Sequence, residues 1–81
     1  MDEAIQIRLR SAIAKQLGVA PTEVTADLKM GDHPAWDSMG HMGLVAVLEK
    51  EFAVRFPSHA LARITSVASI EKELSKMLGK A

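Results

Sequence analysis

Ser38 is the residue of this chain best placed to do chemistry. It follows Asp37 and opens a run in which Leu44, Val45, Leu48 and Phe52 recur at helical spacing, with no proline before Pro57. Asp and Ser both start helices, because their side-chain oxygens take up backbone N–H groups of a first turn. The pair puts a serine hydroxyl at or beside a helix N-terminus, and the spacing leaves open which of the two is the cap. Such an end carries unpaired N–H groups and a partial positive charge, which suits a phosphate. A serine that merely caps a helix is the simpler reading of this placement. A phosphodiester on the Ser38 hydroxyl is the chemistry it would suit.

Other reactive groups offer less. His41 shares a helix face with Val45, Leu48 and Phe52, and the simplest reading is a partly buried histidine bonded to backbone or water. Ser38, His41 and Asp37 together suggest a hydrolase. No glycine-framed nucleophile elbow surrounds Ser38, however, and a chain of 81 residues has little room for an oxyanion hole and a substrate cleft. No catalytic activity is expected. His33, His41 and His59 are widely spaced and no cysteine accompanies them, so no metal site is expected either.

The elements that position Ser38 read as all-α. Asp2 and Glu3 favour a helix start by charge. Ile5, Leu9, Ala12, Ile13 and Leu17 mark one face of a helix over 3–17, and Gly18 stands where a C-cap glycine belongs. Residues 18–36 read mostly as loop, with Val24 and Leu28 as apolar anchors, a short turn at Pro21-Thr22-Glu23 and turn chemistry at Gly31-Asp32-His33-Pro34. A connection of that length asks for a reason. The second helix spans 38–53. Ser58 caps a short turn through Ala60 and Leu61, and Thr65 or Ser66 caps a last helix with Val67, Ile70, Leu74, Met77 and Leu78 on one face. Nothing reads as a strand. The expected core is Leu9, Ile13, Leu44, Leu48, Phe52, Phe56, Leu61, Ile64, Ile70 and Leu74.

Composition narrows the function further. Eighty-one residues form a single domain over 1–81. Ten basic and ten acidic side chains give zero net charge, which leaves no electrostatic footprint for nucleic acid or an anionic membrane. Without cysteine, neither disulfides nor thiolates hold the fold. No apolar run approaches the roughly 20 residues of a membrane span, and no signal-peptide pattern opens the sequence. A cytoplasmic monomer is the expectation.

Asp37-Ser38-Met39 resembles the Asp-Ser-Leu attachment motif of acyl carrier proteins and related peptidyl carrier domains. Leu44 to Phe52 is similar to the rest of the family's second helix. Phe56-Pro57 and Ile64-Thr65-Ser66-Val67 resemble the entries to its third and fourth, and Leu17-Gly18-Val19 with Val24 the end of its first. The likeness covers nearly the whole chain. It implies a bundle of three main helices and one short one, with the long first loop crossing the bundle to deliver the serine. It also implies a 4′-phosphopantetheine arm on Ser38, donated by coenzyme A and installed by a phosphopantetheinyl transferase. The arm's thiol would carry acyl groups as thioesters for fatty-acid, polyketide or related specialised biosynthesis. Part of the core would open to shelter the acyl chain, and His41 would then line the pocket mouth or touch the arm. A peptidyl carrier holding an aminoacyl group, and a helical adaptor with unmodified Ser38, are the rival readings.

The resemblance assigns partner recognition to Asp37 and to the outer face of the second helix, where Met39, Met42, Gly43, Ala46 and Lys50 lie opposite the core. Methionine is a pliable contact residue. In the family this face is usually acidic. Glu49 and Glu51 match that pattern, but Gly40, Gly43 and Lys50 stand where acids are common. With the neutral net charge, this points to acyl-loading and acyl-processing enzymes of a dedicated pathway rather than the general fatty-acid machinery. Two glycines in one helix also imply looser structure or a close neighbour.

Overall fold

The computed structural model describes residues 2–79. Helix α1 spans Glu3–Leu17, α2 Ser38–Phe52, α3 Ser58–Leu61 and α4 Val67–Met77, with a 3-10 turn at Pro21–Glu23. Among the described residues extended pairing is limited to an isolated antiparallel bridge between Lys29 and Ser66.

The helix ends follow their local chemistry. Asp2 accepts the Ala4 amide at 2.7 Å to start α1, and Gly18 closes it in the left-handed conformation, φ 75°, with its N–H on the Ala14 carbonyl. Ser66, not Thr65, caps α4: it accepts the Ser69 amide at 3.1 Å, while the Ser69 hydroxyl accepts the Ser66 amide at 3.0 Å. Ala53 ends α2 at φ 54°, a conformation that suits glycine better.

The long first loop is tied to the start of the last helix. The Val67 amide donates to Leu28 O, the Ala68 amide to Ala26 O and the Met30 amide to Thr65 O, at 2.8–3.0 Å. The first N–H groups of α4 have no acceptor within their own helix, and the loop supplies two.

The core gathers Leu9 and Ile13 of α1, Leu44 and Leu48 of α2, Ile70 and Leu74 of α4, and Val24 of the loop, all essentially inaccessible. Phe52, Phe56 and Ile64 are buried as expected, whereas Leu61 is only half-buried at the margin. Trp36, which no periodicity marks, is fully buried although it belongs to the loop. Arg8 fastens α1 to α2 from outside: its guanidinium meets the Glu51 carboxylate at 3.1 Å and lies 4.7 Å from the centre of the Phe52 ring. Arg10 and Gln6 share Glu71 of α4.

Candidate functional site

The head of α2 is built by residues 35–41. Asp37 is the N-cap, with its carboxylate on the Gly40 amide at 2.7 Å. Ser38 is therefore the first residue inside the helix. Its side chain is exposed, and its hydroxyl forms no hydrogen bond among the described residues. The amides of Ser38 and Met39 likewise have no acceptor there. A free hydroxyl thus stands beside unpaired N–H groups at the positive end of a helix of 15 residues.

Two contacts fix that end to its approach. At Gly40 a Cβ would collide with the carbonyl oxygen of Ala35. The loop therefore crosses directly over the first turn, and glycine is what lets it pass. The indole N–H of Trp36 donates to His41 Nδ1 at 3.0 Å, with the two rings nearly parallel at 18°. An indole nitrogen only donates, so Nδ1 is the bare nitrogen. The hydrogen then sits on Nε2, which lies 3.1 Å from the Leu61 carbonyl at the end of α3.

His41 thus has the simpler of its two expected roles, a buried histidine bonded inside the fold. Its ring is buried, 6 % exposed, and both nitrogens are engaged inward, so neither is left for an arm or phosphate. The same geometry dissolves the Ser38, His41, Asp37 array: the imidazole faces Trp36 and Leu61, and the Asp37 carboxylate faces Gly40. Among the described residues no three His, Cys, Asp or Glu side chains gather into a metal-binding group.

The outer face of α2 is largely as expected. Met39 is 86 % exposed and Met42 55 %, with Ala46 and Lys50 also at the surface. Val47 joins them at the edge. Gly43 turns partly toward α1, where a Cβ would lie 3.1 Å from Gln16 Nε2. Glu49 does not belong to this face. It is half-buried and accepts the Phe56 amide at 2.8 Å, closing the turn after α2. Glu51 is held by Arg8. Of the two acids that match an acidic docking surface, Glu49 is turned inward and Glu51 stays at the surface, paired with Arg8.

Comparison with known proteins places this arrangement. The family described as phosphopantetheine attachment site matches residues 7–74. An acyl carrier protein of Akkermansia muciniphila is 33 % identical over 78 residues, covering 96 % of this chain and 98 % of that one. An acyl carrier protein of Thermotoga maritima is 34 % identical over 77 residues, covering 95 % of each.

The chain belongs to the acyl carrier protein family.

The cofactor of this carrier family is covalently attached 4′-phosphopantetheine. The head of α2 in this carrier fits the group. It offers an accessible hydroxyl without a competing partner, on backbone positions whose free N–H groups favour a phosphodiester. No helix of the described residues is long and apolar enough to cross a membrane. The residues that sequence reasoning missed are those that hold the site: Trp36, Ala35 and the Leu61 carbonyl. A single tryptophan two residues before the serine was the available signal, since a buried indole must find an acceptor.

Proposed function

We propose that Ser38 carries the phosphopantetheine arm and that the chain presents acyl thioesters on it to the enzymes of a dedicated biosynthetic pathway. The observation that carries this is the exposed, unpartnered Ser38 hydroxyl at the first position of α2. In the attachment, the Ser38 oxygen bonds to the phosphorus of the pantetheine half of coenzyme A and the phosphoanhydride bond breaks. The nucleotide half leaves, and the hydroxyl proton passes to a base on the phosphopantetheinyl transferase.

When bound, the arm supplies a thiol, which the chain itself lacks, and so a site for thioesters. The protein's own part is positional. Asp37 sets the helix start, the first-turn amides receive the phosphate charge, and Met39, Met42, Ala46 and Lys50 form the surface that partners read. With Glu49 turned inward and Glu51 paired at the surface with Arg8, Lys50 is the exposed charge left on the outer face of the helix, which favours dedicated partners over enzymes that read an acidic helix. The carrier acts as a cytoplasmic monomer without catalytic activity of its own.

The test is intact mass after incubation with coenzyme A and a broad-specificity phosphopantetheinyl transferase, beside Ser38→Ala. Gain of one arm in the wild type alone is expected. No gain, with the transferase active on another carrier, would leave an adaptor whose surface is the Met39/Met42 face.

A further inference from the structure

We infer that Trp36 and His41 are a positioning pair that holds the backbone at Ser38, and so the place from which its hydroxyl projects, an inference that rests on Ser38 being the arm-bearing residue. Every other buried position of α2 is apolar: Leu44, Val45, Leu48 and Phe52. His41 is the one buried polar side chain among the described residues. Apolar packing alone would fill that space without fixing a direction. A hydrogen bond between two buried groups fixes both distance and angle.

The bond joins the residue two before Ser38 to the residue three after it, at 3.0 Å. Within that span the Asp37 carboxylate takes the Gly40 amide at 2.7 Å, and the Asp37 carbonyl takes the His41 amide at 2.8 Å. The chain from Trp36 to His41 is therefore closed by side chain and backbone at once, and Ser38 is its outward tip. Position 41 touches the core and not the surface, so it acts on the serine only through this closure. The bond from His41 Nε2 to the Leu61 carbonyl seats the same unit on α3. A nucleophile held in this way meets a transferase without a prior search for its geometry, which is where positioning accelerates group transfer.

The test uses the full chain with three substitutions. His41→Leu removes both bonds, Trp36→Phe removes the indole donor while keeping the aromatic packing, and His41→Asn places an oxygen near Nδ1 to accept from Trp36 while giving up Leu61. Three readouts are taken on each: thermal melting, backbone ¹⁵N order parameters at residues 36–39, and kcat and KM for arm transfer from coenzyme A by intact mass. His41→Leu and Trp36→Phe are expected to melt cooperatively, to lose order at Ser38 and Met39, and to lose about tenfold or more in kcat/KM at temperatures where they are folded. His41→Asn is expected to recover most of both.

Wild-type order at Ser38 in His41→Leu, or in Trp36→Phe if the former does not fold, would overturn the inference. So would a His41→Asn variant as disordered as His41→Leu. The order parameters need no transferase, so they decide the positioning role even if the wild type accepts no arm, an outcome that would instead remove Ser38 as the attachment residue.

Discussion

The Asp37 carboxylate accepts the Gly40 amide at 2.7 Å, and this bond places Ser38 one residue inside α2 rather than at its cap. Structural and chemical duties are thereby divided between neighbours. Asp37→Ala should lose about 0.5–2 kcal/mol of stability as the cap is removed. Ser38→Ala should stay within about 0.5 kcal/mol of wild type, as for an exposed residue without partners, yet accept no arm. Thermal melts and intact masses of both variants check the division. A Ser38→Ala protein as unstable as Asp37→Ala would show that the serine shares the cap.

The two glycines of α2 are expected to respond with opposite signs. A methyl at position 40 meets the Ala35 carbonyl, which is backbone and cannot rotate away. Gly40→Ala gains about 1 kcal/mol of helix propensity, but overpacking of this kind costs about 1–3 kcal/mol and displaces the loop that carries Trp36. At position 43 the nearest atom is the flexible end of Gln16 at 3.1 Å, so Gly43→Ala should keep the propensity gain. Since 1 kcal/mol moves Tm by about 4–8 °C in a domain of this size, melting curves should separate the two on either side of wild type.

Glu49 is expected to behave as a structural residue. Its carboxylate holds the Phe56 amide at 2.8 Å in a half-buried turn. Glu49→Ala strands that donor at about 1–3 kcal/mol, whereas Glu49→Gln retains an acceptor oxygen and should recover most of the loss. Lys50→Ala, one residue on and exposed, should leave stability within about 0.5 kcal/mol. Denaturant midpoints of the three variants decide it, and an unchanged Glu49→Ala would return Glu49 to the partner surface.

These sites also show what a linear reading reaches. The extent of α1 follows from Leu9, Ile13 and Leu17 at intervals of four with Gly18 behind them, and α1 is found at Glu3–Leu17. The start of α2 follows from two capping residues in succession, and its exposed methionines from their angle to Leu44 and Leu48. What escaped depends on contacts distant in sequence or outside any period. Trp36 lies in a loop, where no repeat marks a side chain as internal. The pairing of residues 26–30 with 65–68 joins segments nearly forty positions apart. Glu49 sits on the flank of its helix, and only the return of the chain at Phe56 turns it inward.

That loop pairing bears on a carboxylate whose titration is displaced. Asp27 lies between the two loop carbonyls that receive the first amides of α4. The Thr25 hydroxyl donates to its carboxylate at 2.6 Å and, with its own backbone amide and, least, the charge of Lys29, holds its pKa below the ordinary aspartate value of 3.8, while desolvation acts the other way. A carboxylate lowered in the folded state adds stability that is fully present above its unfolded pKa and is lost as pH falls through the folded one. Asp27 is fully exposed, so the contribution is small, and the titration itself is the sharper measure. The side-chain ¹³C signal of Asp27 should titrate below the ordinary range in the wild type and move upward in Thr25→Ala. The two proteins should differ in stability near neutral pH and converge below both midpoints. An unshifted Asp27 in Thr25→Ala would assign the displacement to the backbone amide and Lys29 instead of the hydroxyl.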